Sequence, residues 1–178
     1  MLKTWGAAVS AIALAVTPAS SACWSIEETS AATIRDFQTM LMVSTLTCQV
    51  AKHDMTADYN EFLRANKAAV QRVNDRIKTH FIKANGPVMG MKSYDGFVTR
   101  LANAYGSRGS SAEICDNMAA VAREATLMGG NEDGLLLLAE RQGIVTAVPE
   151  GACSGPRQSV ALNGAPIATG RGSSSGDR

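Results

Sequence analysis

Histidine is scarce in this 178-residue chain, which has two, and aromatic residues make up only 5%. Two histidines leave little room for a His-rich metal site. The chain also lacks a Lys-bearing Gly-rich phosphate loop, a haem-attachment Cys-x-x-Cys-His and a Gly-x-Ser-x-Gly elbow. The sequence therefore predicts no metal, no cofactor and no enzyme. A surplus of one charge is missing as well, with 17 Lys+Arg against 16 Asp+Glu. Neutralising phosphates requires a basic surface, so no nucleic-acid partner is expected.

Long apolar runs are confined to the beginning of the chain. Lys3, the Ala-rich run over residues 5–16 and the small residues leading to Ala22 read as a signal peptide spanning 1–22. The run is shorter than the roughly 20 apolar residues a bilayer span requires, and no later segment approaches that length. No transmembrane segment is expected once the signal is removed. All four cysteines (Cys23, Cys48, Cys115 and Cys153) follow the signal, and an even number in an exported chain predicts two disulfides. The expected location is the periplasm or the outside of a Gram-negative cell. A less favoured alternative makes Cys23 the lipid-anchored first residue, which would leave one thiol unpaired.

Proline and glycine are absent where they would interrupt helices. No Gly occurs between Gly6 and Gly86, and only Pro87 lies between residues 19 and 148. Alternating Val, Ile, Thr and aromatic runs are absent too, so strands are not expected. What is present is an apolar residue every three or four positions, which predicts an all-α chain. The expected architecture is an up-down bundle of four helices plus a short fifth, spanning residues 23–145.

Helix one is expected over residues 25–50, because Ser25 and Glu28 have capping-box spacing and Ile34, Phe37, Leu41, Ser44 and Cys48 line one face. Helix two is expected as one rod over 56–84, carrying Tyr59, Phe62, Asn66, Ala69, Val73, Ile77 and Phe81, and ended by Asn85-Gly86-Pro87. Helix three falls within 87–105, with Tyr94, Phe97, Leu101 and Tyr105 inward. Helix four is expected to be capped by Ser110 with Glu113 and to end at Gly129-Gly130. Leu135 to Leu138 suggest a short fifth helix lying across the bundle. From Thr146 onward 14 of 33 residues are Gly, Ser or Pro, so 146–178 is expected to be a largely disordered tail apart from what Cys153 ties down.

In an up-down bundle the end of helix one and the start of helix four fall at the same end. That places Cys48 beside Cys115 and leaves Cys23 for Cys153. The segments Leu41-Met42-Val43, Leu46, Cys48, Tyr59-Asn60, Leu101-Ala102-Asn103-Ala104 and Ile114-Cys115 carry a resemblance. Over roughly residues 30–120 the chain resembles an uncharacterised alphaproteobacterial family of exported, two-cysteine helical proteins. The resemblance makes Cys48 and Cys115 the shared cysteines and implies no activity.

Few residues stand apart from this scaffold. Cys48 with His53 suggests a thiolate and its base, but a disulfide would remove the nucleophile. Asp54, Asp58 and Glu61 suggest a cation site, although acids at a helix start complement its dipole without any ion. Arg72, Arg76, His80 and Lys83, with Lys78 nearby, form a basic ridge that would meet anionic lipid, a cell-wall polymer or an acidic partner. The first functional expectation is an exported, non-enzymatic envelope protein acting through protein or surface contacts. The alternatives are an accessory, minor pilin-like component of a secretion or conjugation machine, and a ligand binder or enzyme with a site around Tyr59, Asn66 and Tyr94.

Overall fold

The computed structural model describes residues 23–153, so the expected signal peptide and the tail beyond Cys153 lie outside the described residues. Helices α1 (Ile26–Val50), α2 (Thr56–Ala65), α3 (Lys67–Tyr105), α4 (Ala112–Thr126) and α5 (Glu132–Arg141) follow in order. Extended pairing among the described residues is limited to an isolated parallel bridge between Trp24 and Ala152. The chain is all-α, as its Gly- and Pro-poor body implies. None of the described helices is long and apolar enough to cross a membrane.

Helix α1 begins with the expected capping box: Ser25 Oγ accepts from the Glu28 N–H, and Glu28 Oε2 accepts from the Ser25 N–H at 2.9 Å. It packs against all four other helices. Burial accordingly extends beyond one stripe, running without a break over Ala31 to Ile34 and again over Asp36 to Leu41. A fully surrounded helix must satisfy its own polar groups. Thr33, Thr39 and Thr45 do so by donating to the carbonyls of Thr29, Arg35 and Leu41.

The expected single rod over 56–84 is divided. Asn66, fully buried with φ −108° and ψ 13°, separates α2 from α3. Its side chain explains the break. Nδ2 donates to the carbonyls of Phe62 at 3.0 Å and Ala125 at 2.9 Å, while Oδ1 accepts from the Gly130 N–H at 2.8 Å. Asn66 thus adds a side-chain bond to the Ala125 carbonyl near the end of α4 and takes up an amide of the following turn. Periodicity registers a helical face but not a long-range polar tie, so the sequence shows one helix where there are two.

Helix α3 is itself a hairpin of two helical arms, 67–85 and 87–105, joined at Gly86 with φ 75° and ψ 170°. The expected stop at Asn85-Gly86-Pro87 falls there. The arms fold back closely enough to place the Phe81 and Phe97 rings 5.7 Å apart, and Tyr94 Oη 3.3 Å from Asn74 Oδ1. Gly90 permits this approach, because a Cβ there would lie 2.6 Å from the Ile82 Cα and the Phe81 carbonyl oxygen.

Helix α4 starts one residue later than expected, with Ser111 rather than Ser110 as the cap, and ends at Thr126. Helix α5 buries Leu135, Leu138 and Ala139 and packs on α1. Both expected disulfides are present, Cys48–Cys115 and Cys23–Cys153. Of the segment expected to be tail, the part tied down by Cys153 returns to the body: the Trp24 N–H donates to the Gly151 carbonyl at 2.9 Å, and the Cys153 N–H donates to the Trp24 carbonyl at 2.8 Å.

Candidate functional site

The basic ridge is redistributed by the fold. Arg72 Nε and an Arg76 guanidinium nitrogen grip the two oxygens of Glu132 at 2.8 and 3.1 Å, tying α3 to the start of α5. His80 is a correction to the ridge, because it is buried. Its ring stacks on Trp24 at 4.0 Å, and its Nδ1 lies 3.1 Å from the Glu28 carboxylate that closes the α1 cap. Lys78 extends its ammonium over the Tyr94 ring at 5.4 Å. Lys83 remains exposed. The physical reason is the width of the apolar stripe: once α1 and the second arm of α3 cover it, His80 at its border is enclosed and Arg72 and Arg76 meet α5.

Burial pushes the Glu132 carboxyl up, but the Arg72 and Arg76 guanidinium groups outweigh that and hold it below the usual carboxylate range. A carboxyl depressed in the folded state adds stability above its unfolded pKa, and that contribution is lost as pH falls through the folded pKa. The clamp is half exposed, so its worth is at most about 1 kcal/mol. Glu132→Gln is expected to lower the unfolding free energy from urea denaturation near neutral pH by at most about 1 kcal/mol and to leave it unchanged in acid. An equal loss at both pH values would show that packing, not charge, is what Glu132 supplies.

The other candidates are spoken for. Cys48 is sealed to Cys115, and His53 is exposed. Cys23 is bonded to Cys153, which leaves no thiolate for a lipid thioether. Asp54 accepts from the Thr56 amide and hydroxyl, which hold its carboxyl low, and Asp58 pairs with Arg123 at 3.1 Å. No three His, Cys, Asp or Glu among the described residues are grouped to hold a metal ion. Asn66 is consumed by its three hydrogen bonds. Tyr59 and Tyr94 both lie within the field of Arg35, which partly offsets the rise that burial gives their phenols.

Two surface features escape a reading based on periodicity. The first is a cleft of about 400 Å³ beneath residues 143–147, with Asp36 in its wall and Arg100 and Arg108 among its lining. Tyr105 Oη donates to Asp36 Oδ1 at 2.6 Å, and Thr146 Oγ1 donates to Oδ2 at 2.9 Å. Burial, then the bond to Asp36, pushes the Tyr105 phenol well above its ordinary value, so it stays a donor. The arrangement offers a carboxylate and cations but no activated nucleophile. Asp36, an acid beside Phe37 of the expected core face of helix one, is the sequence signal that marks it.

The second is the tip of the α3 hairpin. From Ile82 to Met89 no residue is buried, and Val88 is 80% and Met89 55% exposed. Met91 lies just beyond, also exposed. Comparison of the chain with protein-family models, curated proteins and solved structures finds no match.

Proposed function

We propose that this chain is an exported, non-enzymatic helical protein of the cell envelope that acts through contacts with other envelope components. Its two disulfides belong to an oxidising compartment. The signal-like segment 1–22 and the resemblance to an exported alphaproteobacterial family support a periplasmic or secreted location. The observation that carries the reading is the hairpin tip, where Val88, Met89 and Met91 stand exposed on a neutral-to-basic turn. Apolar side chains clustered on a protruding turn are suited to contact with another component.

Cell fractionation tests this reading. After osmotic release of the periplasm, the chain is expected to sediment with the envelope, and Val88→Asp with Met89→Asp is expected to move it to the soluble fraction. Recovery of both forms in the soluble fraction would defeat the proposal. The Asp36 cleft favours a second reading, a binder of a small ligand carrying a carboxylate for Arg100 or Arg108.

A further inference from the structure

The hairpin tip carries more than exposed apolar side chains. Between Asp75 and Asp95 the sequence holds no acid, yet it holds Arg76, Lys78, Lys83 and Lys92. Arg76 is occupied by Glu132 and Lys78 leans over Tyr94, which leaves Lys83 and Lys92 flanking the tip, both exposed. On one flank lies a cleft of about 350 Å³ whose lining includes Asn85, Met89, Lys92, Ser93 and Arg100, with Glu150 as its one carboxylate. Cations and hydrogen-bond donors beside an apolar point are the groups that a phosphate headgroup and its acyl boundary require together.

We infer that the α3 hairpin tip docks on a bilayer of anionic phospholipid, with Val88 and Met89 entering the interface and Lys83, Lys92 and Arg100 meeting headgroup phosphates. The inference rests on the envelope-contact reading and names the component contacted. Charge selects this occupant over two others within the protein. The segment 154–178 carries Arg157, Arg171 and Arg178 against Asp177, so it is basic like the tip. A second copy meeting it tip to tip would set one basic tip against another. Shape selects it as well, because the tip is a convex turn with no buried residue from Ile82 to Met89, and a flat interface accepts a protruding point.

Vesicle co-sedimentation tests the inference, using the chain recovered with disulfides intact from a host that exports it. Vesicles of phosphatidylglycerol mixed into phosphatidylcholine are compared with phosphatidylcholine alone. Binding is expected to the first, about tenfold or more weaker to the second, and to fall as salt is raised. Lys83→Glu with Lys92→Glu is expected to weaken it by more than about tenfold, since each lysine near an anionic surface is worth about fivefold. Val88→Asp with Met89→Asp is expected to abolish binding, whereas Leu127→Asp, on a residue 82% exposed elsewhere, leaves it intact. All of these positions are exposed, and an unchanged melting temperature confirms that each variant folds. Equal binding to both vesicle types, or binding indifferent to both tip variants, overturns the inference. Absence of vesicle binding with tip-dependent sedimentation of the envelope overturns the lipid inference alone and makes the partner a protein. Absence of both removes the envelope reading with it.

Discussion

Trp24→Ala is expected to cost about 3–5 kcal/mol, a large share of the stability of a domain this size. Trp24 is completely buried. Its indole stacks on His80, meets Phe81 edge-on at 5.4 Å and lies 5.7 Å from Phe97, so it fills the space between the two arms of α3. Three further ties hold it there: the bridge to Gly151 and Cys153, the adjacent disulfide, and the Glu28 carboxylate that joins the α1 cap to His80. The indole N–H has no hydrogen-bond partner among the described residues, so the contribution is one of packing. Trp24→Phe is therefore expected to keep more than about half of the stability that Trp24→Ala loses. Urea denaturation followed by helical circular dichroism measures both. Equal losses for the two variants would assign the effect to the N–H, and a loss below about 1 kcal/mol for alanine would show that the segment before α1 is not part of the core.

Removing either disulfide is expected to cost about 2–5 kcal/mol. The closed loops differ in length, 130 residues for Cys23–Cys153 and 67 for Cys48–Cys115. Because Cys48–Cys115 closes inside the outer loop, the chain that Cys23–Cys153 additionally closes is about as long as the inner loop, so chain entropy does not separate the two. Burial decides the order. Cys48 and Cys115 are 1% and 2% exposed, so replacing them with alanine also removes buried sulfur and opens a void between α1 and α4. Cys48→Ala with Cys115→Ala is expected to be the more damaging pair. Cys23 shares its segment with Trp24, so Cys23→Ala with Cys153→Ala is expected to cost less in a Trp24→Ala background than alone. Additive losses in that cycle would mean the disulfide and the indole hold the segment before α1 independently.

The parts of this structure that were legible from sequence are those set by local physics. Ser25 and Glu28 form their capping box because both partners lie within one turn. Gly86 ends a helix because its backbone is free to take φ 75°. Even the disulfide pairing follows from local rules, since helix lengths and the Gly86 reversal decide which helix ends meet. Phe62, Val73, Ile77 and Phe97 are buried where a 3.6-residue period places them.

What the sequence did not disclose depends on partners distant in the chain. Asn66 looks like a polar flaw on one long apolar face, and only the approach of Ala125 and Gly130 turns it into the point where the helix divides. Arg72, Arg76 and His80 look like one ridge. Glu132 and Glu28, brought from two other helices, make them ties within the fold, whereas Lys83, near the turn, has no such partner brought to it and faces solvent. Side-chain period and backbone propensity are properties of neighbouring residues, so the sequence by itself determined an all-α, disulfide-stapled chain poor in catalytic groups. Which charges are neutralised, and which apolar residues remain outside, is settled by contacts between residues dozens of positions apart, and those exist only once the helices have packed.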